Sequence, residues 1–122
     1  MKRVIYISLL IIFFSACNKE DETTVVQYKA SNAYSETQIK YRDADGILVS
    51  KNINFAGGED VWTYSFDAKK GDIVFISAQY YDPNSSITLQ ILLDGKTFKE
   101  GTSNNEANEI LTISGTIPYY TE

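Results

Sequence analysis

The chain has 122 residues, of which 43% are hydrophobic, and its eleven Lys and Arg against sixteen Asp and Glu give a formal net charge of −5. This length corresponds to one small domain, and the acidic balance argues against nucleic-acid binding because phosphate backbones would be repelled. Histidine is absent and Cys17 is the single cysteine. The sequence therefore lacks the commonest general base and the commonest transition-metal ligand, and we predict no cofactor.

The amino-terminal segment has the parts of a secretory signal. Met1-Lys2-Arg3 is basic, residues 4–14 are apolar except for Ser8, and Ser15-Ala16 are small. An apolar helix of this length, at about 1.5 Å per residue, is too short to cross a hydrocarbon core of about 30 Å. The segment is thus typical of a cleaved signal rather than of a membrane span.

The end of this segment, Phe14-Ser15-Ala16-Cys17, resembles the lipobox of bacterial lipoprotein signals, although Phe14 replaces the usual Leu. The resemblance implies cleavage of residues 1–16, lipidation of the Cys17 thiol, as by palmitate, and acylation of the new amino terminus. The alternative is an ordinary secreted protein whose cysteine falls here by chance. With Cys17 acylated, no thiol remains for a disulfide, a zinc site or a nucleophile.

Residues 17–24 are predicted to be a lipidated flexible tether, because residues 18–24 are all polar or charged. The run from Lys19 to Glu22 also resembles the acidic export signal of surface lipoproteins in Bacteroidota, with a generic solvated tether as the alternative. We expect the protein to be anchored in the cell envelope through acyl chains, at the outer membrane. Exposure on the cell surface stays open.

From Val25 onward, strand-forming residues dominate and helical periodicity is absent. We predict eight strands, at residues 25–30, 37–43, 47–55, 61–66, 73–81, 87–93, 96–102 and 109–117. The strand at 73–81 is apolar on both faces in its first half, which indicates a central position. Turns at Gly46, Gly71 and Gly95 are each expected to join a pair of strands. The prediction is an all-β domain over residues 25–122, a small immunoglobulin-like antiparallel β-sandwich of seven or eight strands.

Four blocks in this order resemble the soluble domain of the mycobacterial membrane protein small (MmpS) family. They are Tyr41–Gly46, Trp62–Phe66, Gly71–Gln79 and Ile87–Lys96. The resemblance implies a small β-sandwich facing the envelope; mycobacterial members are accessory subunits of proton-driven lipid or siderophore exporters. Two features depart from the family. A lipidated cysteine replaces the usual membrane helix, and Leu89 stands where many members have a disulfide cysteine.

Two acidic patterns have both a chemical and an ordinary interpretation. Asp43-Ala44-Asp45-Gly46 has the start of a calcium loop, but its twelfth position is Asn54 rather than the required Glu, which favours a hairpin turn. Glu59, Asp60 and Asp67 could supply a carboxylate pair for glycoside chemistry, which needs two acids about 5–10 Å apart. Solvated turn charges are the favoured interpretation of these three residues.

Aromatic residues supply the candidate binding surfaces. Trp62, Tyr64 and Phe66 alternate along one strand and are either a ligand-stacking platform or, in the favoured interpretation, part of the core. Tyr80-Tyr81 and Tyr119-Tyr120 are adjacent pairs, and one tyrosine of each should meet solvent because neighbouring strand residues point to opposite faces. Exposed tyrosine is common at binding surfaces. We predict that Tyr80, Tyr81, Tyr119 and Tyr120 mark a contact surface.

These observations predict a lipid-anchored, non-catalytic binding protein of the envelope. Its expected partners are the membrane, through the acyl chains on Cys17, and another envelope protein, with an accessory role in an envelope transporter as one form of this. The alternative is a surface-exposed module that binds carbohydrate or a glycoconjugate. An enzyme is not expected, since histidine, a free thiol and a recognisable acid pair are all missing.

Overall fold

The computed structural model describes residues 23–119, so the signal, Cys17 and Tyr120 lie outside the described residues. The eight strands are β1 (Thr24–Ser31), β2 (Glu36–Arg42), β3 (Leu48–Asn54), β4 (Val61–Ala68), β5 (Ile73–Tyr80), β6 (Ser86–Leu93), β7 (Lys96–Asn104) and β8 (Ile110–Thr116). Every predicted strand is present, with each boundary within two residues. Thr24, assigned to the tether, already pairs with Ala68.

The strands form two four-stranded antiparallel sheets. Sheet 1 has the order β4-β1-β6-β7, and sheet 2 has the order β3-β2-β5-β8. Alternate side chains of both sheets point inward, with Val26 and Ile91 in sheet 1 and Ile39 and Ile76 in sheet 2 fully buried between them. The predicted β-sandwich and the central position of β5 are confirmed.

Two of the three glycine turns form hairpins within one sheet, and the third connects a strand of sheet 1 to a strand of sheet 2. Gly46 and Gly95 adopt φ of 78° and 85° and join β2 to β3 and β6 to β7, as predicted. The pairing predicted across Gly71 is wrong, because β4 pairs with β1 in sheet 1 whereas β5 pairs with β2 and β8 in sheet 2. The turn itself forms, with the Asp72 amide bonded to the Lys69 carbonyl at 3.0 Å. It carries the chain from one layer to the other.

The two long sides of the sandwich differ. At one side β7 and β8 pack closely, and a methyl group on Gly115 would lie 2.7 Å from Cε2 of Phe98. At the other side no comparable approach joins β3 to β4. Trp62, Tyr64 and Phe66 of β4, which we call the aromatic stripe, face this open side.

The stripe combines features of both interpretations given above. Trp62, Tyr64 and Phe66 point inward and pack against the core, yet each stays partly exposed. The ring centroid of Tyr41 lies 5.4 Å from that of Trp62 and 4.6 Å from that of Tyr64. The stripe is therefore the edge of the core rather than an outward platform.

The strand directions define two ends of the domain. The end that we call the base holds the chain entry at Thr24, the turns at 43–47, 69–72 and 94–95, and the chain exit at 117–119. The end that we call the tip holds the loops at 32–35, 55–60, 81–85 and 105–109. A tether joined to β1 therefore enters at the base.

Candidate functional site

The first predicted tyrosine pair lies where β5 reaches the tip. Tyr80 is 1% exposed, and its hydroxyl lies 2.9 Å from Oγ of Ser103 and accepts a 2.9 Å hydrogen bond from the Glu106 amide. Tyr81 is 62% exposed. The prediction that one tyrosine of this pair faces solvent is confirmed. Because Tyr80 is buried, only Tyr81 can belong to a contact surface.

The second pair lies at the other end of the molecule. Tyr119 is 65% exposed at the base, where its hydroxyl approaches Gly71. Tyr120 lies outside the described residues. Tyr81 and Tyr119 are thus separated by the length of the sandwich, and the structure does not bring the two predicted pairs together on one surface.

A shallow depression of about 400 Å³, lined mostly by polar residues, lies beside Tyr81. Its other lining residues come from the β1–β2 loop, β2, β3 and the β5–β6 loop: Ser35, Glu36, Gln38, Asn52 and Asp82. The Tyr81 hydroxyl donates to Oε1 of Gln79 at 3.3 Å, which directs the ring along the outer face of sheet 2. The Asp82 carboxylate accepts a 2.9 Å bond from the Asn84 amide and shapes the loop.

The side chains around this depression are suited to recognising polar ligands. Carboxylates accept hydrogen bonds from hydroxyl or amine groups, the two amides both donate and accept, and the ring of Tyr81 offers an apolar face. Oγ of Ser35 is buried and has no hydrogen-bond partner within the part of the chain that the structure describes. Sequence reasoning identified only Tyr81 here, because the remaining residues are ordinary polar types brought together from four separate segments of the chain.

Charge is distributed unevenly between the two ends. The four loops of the tip and the strand residues next to them contain no lysine or arginine. Their acidic residues are Glu36, Glu59, Asp60, Asp82, Glu106 and Glu109. A partner that approaches the tip must therefore tolerate or complement negative charge.

In both acidic patterns one carboxylate, that of Asp43 or Asp60, accepts hydrogen bonds from main-chain amides nearby in the chain. Oδ1 of Asp43 accepts 2.9 Å bonds from the amides of Asp45 and Ile47, which is a hairpin-turn arrangement. Between residues 23 and 119 no group of three or more acidic, histidine or cysteine side chains is placed to hold a metal ion. Asp60 accepts from the Ala56 amide at 2.7 Å at the tip, whereas Asp67 lies near the base end of β4. At about 3.3 Å per strand residue, they are too far apart for glycoside chemistry.

Comparison with known proteins adds no assignment. No protein-family model matches the chain, and no curated protein sequence matches it. The resemblance to the MmpS family therefore stays a prediction. Over residues 23–119, none of the elements is a helix long and apolar enough to span a membrane.

Proposed function

We propose that this protein is a non-catalytic binding domain that acyl chains on Cys17 hold in the bacterial envelope. The observation that carries the proposal is the placement of the tether entry at the base, opposite the tip loops. A domain anchored from Thr24 presents Tyr34 and Tyr81, which are 59% and 62% exposed, away from the membrane. Two or more acyl chains would suffice for stable anchoring.

The favoured partner is another envelope protein, such as a transporter component. Tyr34 and Tyr81 are large, amphipathic side chains of the type enriched at protein interfaces. The acidic residues around them favour a neutral or basic docking surface. The order of the four sequence blocks, which resembles that of the MmpS family, supports the same kind of partner.

Cross-linking in intact cells tests this proposal. The natively lipidated, tagged protein is purified after cross-linking, and its partners are identified by mass spectrometry. We expect one envelope protein to be recovered with the wild type and with Tyr119→Ala, but to be depleted with Tyr81→Ala. Tyr119 is the matched control because it is as exposed as Tyr81 and lies at the base. Equal recovery with all three proteins would mean that the partner does not bind through Tyr81 at the tip.

The depression beside Tyr81 supports a glycan-binding module as the second candidate. Amide and carboxylate groups beside an exposed aromatic ring can bind sugar hydroxyls and stack on a sugar face. The probes are neutral and N-acetylated oligosaccharides added to ¹⁵N-labelled protein. Amide shifts confined to residues around Gln38 and Asn52, and lost in Gln38→Ala but not in Ser50→Ala, would favour this candidate over a protein partner.

A further inference from the structure

An apolar patch lies on the outer face of sheet 2, close to the base. Ile73 is 53% exposed and Leu48 is 59% exposed, and Phe75 is half-buried beside them. Together with Arg42, these residues surround a mainly apolar groove of about 330 Å³. We name Arg42, Leu48, Ile73 and Phe75 the basal patch. It accounts for the first half of β5 being apolar on both faces, since nothing within the described domain covers the outer one.

The position of the basal patch relates it to the anchor. Leu48 and Ile73 begin β3 and β5 at the base, the same end at which Thr24 enters β1. Seven residue steps separate Cys17 from Thr24, and a fully extended chain of that length spans at most roughly 25 Å. A membrane that holds Cys17 is therefore within reach of the basal patch.

The charges of the domain favour the same orientation. The tip carries acidic residues and no basic ones, so an anionic lipid surface would repel it. At the base, basic side chains offset most of the negative charge. The basic residues there are Arg42, Lys69, Lys70 and Lys96, and the acidic ones are Asp43, Asp45, Asp67, Asp72 and Asp94.

We propose that the basal patch rests on the lipid surface, so that the base end of the outer face of sheet 2 contacts the membrane while the tip, with Tyr81, stays away from it. Leu48 and Ile73 enter the boundary between headgroups and acyl chains, while the Arg42 guanidinium reaches the headgroup phosphates. This proposal rests on the lipidation of Cys17. It adds a second, direct contact to the covalent anchor and fixes the direction in which the tip points.

Spin labels on the lipidated protein test this contact. Three variants that each add one cysteine to the lipidated protein, Ile73→Cys, Val25→Cys and Ile110→Cys, are labelled in vesicles of phosphatidylethanolamine and phosphatidylglycerol. Labelling is specific because Cys17 is the only native cysteine and acylation blocks its thiol. Ile73 is in the patch, Val25 is at the base on the outer face of sheet 1, and Ile110 is at the tip, and all three are exposed.

We expect the label at Ile73 to be reached by a water-soluble nickel relaxant at least about threefold less than the label at Ile110, because the headgroup boundary excludes it. The label at Val25 should resemble the label at Ile110. Adding Leu48→Asn should restore relaxant access at Ile73, whereas Val61→Asn, an equivalent change at the tip, should not. Where Ile73→Cys fails to fold, Leu48→Cys replaces it in the comparison of the three labelled positions.

Two results would overturn the proposal while leaving the anchor intact. One is equal relaxant access at all three positions in protein that floats with the vesicles. The other is equal protection at Ile73 and Val25, which would mean an upright domain. Failure of the lipidation itself is distinguishable, because the protein would not float and its intact mass would lack acyl groups.

Discussion

The Tyr28 hydroxyl, in β1 of sheet 1, donates a 2.6 Å hydrogen bond to the main-chain carbonyl of Arg42, at the end of β2 in sheet 2. The same hydroxyl accepts a 3.3 Å bond from the Phe75 amide. Tyr80 makes the reciprocal link from sheet 2, through its hydroxyl to Oγ of Ser103 in β7. One tyrosine thus fastens the two layers towards the base, and the other fastens them at the tip.

Removing the Tyr28 hydroxyl should weaken the fold. Tyr28→Phe leaves the ring in place but leaves the Arg42 carbonyl and the Phe75 amide without this partner, and such a loss costs about 1–3 kcal/mol. Urea unfolding measures the change. Tyr34→Phe, at an exposed position, is the control and should change the free energy of unfolding by less than about 0.5 kcal/mol. Equal stability of the two variants would contradict the role given to Tyr28.

Stability should fall in alkaline solution partly because of Tyr28. Burial raises the pKa of Tyr28 from its ordinary value of 10.0 to about 12, with the hydrogen bond from the Phe75 amide opposing the shift. The neutral phenol therefore favours the folded state, and this contribution is complete below pH 10 and is lost as the pH rises towards 12. Urea unfolding of wild type and Tyr28→Phe across that range should give a steeper decline for the wild type. Equal slopes of the free energy of unfolding against pH in the two proteins would contradict this contribution of Tyr28.

The Tyr80 link should show coupling between its two side chains. Tyr80→Phe and Ser103→Ala each break the buried 2.9 Å contact, and Tyr80→Phe also removes the acceptor of the Glu106 amide. In a double-mutant cycle, the second substitution should cost less once the first is present, with a coupling energy of about 0.5–1.5 kcal/mol. Strictly additive losses would show that the contact does not stabilise the fold.

The closed side of the sandwich should not tolerate a larger residue at Gly115. A methyl group there would lie 2.7 Å from Cε2 of Phe98 and 3.1 Å from Cε of Lys99. Gly115→Ala should therefore destabilise the domain by about 1–3 kcal/mol, as overpacking does elsewhere. Gly57→Ala is the control, since a methyl group at Gly57 meets nothing within 4 Å. Thermal unfolding compares the two, and a midpoint for Gly115→Ala that matches Gly57→Ala would contradict this packing.

The partial exposure of Trp62 should be visible in fluorescence. Trp62 is the only tryptophan, and its ring packs on Tyr41 at the open side of the sandwich. Acrylamide should quench it to an extent between that of a free indole and that of a fully buried one. Full protection would mean that β3 and β4 close over the stripe in solution, and full access would mean that the ring has left the core.

Local patterns predicted the strands well because alternation and turn residues act within a few positions. Asp94-Gly95 gave the correct hairpin because its positive φ values fit only a tight return. The turn at Gly71 has similar residues but leads into the other sheet. Whether β5 pairs with β4 or joins the other sheet depends on the pairing of β4 with β1. Because β1 is distant from β4 in the chain, no local sequence pattern predicts this pairing.

The candidate site was much less predictable than the fold. Alternation indicated that one of Tyr80 and Tyr81 would face solvent, but not that Tyr119 would lie at the opposite end. The depression beside Tyr81 needs Gln38 and Asn52 side by side, which follows from the register of β2 and β3. Such polar residues carry no signal until the strands are paired.

The central position of β1 determines how the domain would bear mechanical load. β1 is bonded on one side to β4 and on the other to β6, and its first residue, Thr24, lies at the base, the end proposed to face the anchor. A partner that pulls on the tip near Tyr81 would pull β6 in the direction opposite to β1. Because antiparallel hydrogen bonds lie across the strands, this force shears the whole ladder at once instead of unzipping it bond by bond. If the domain is anchored and docked as proposed, the β1–β6 ladder would carry tension between the membrane and the partner.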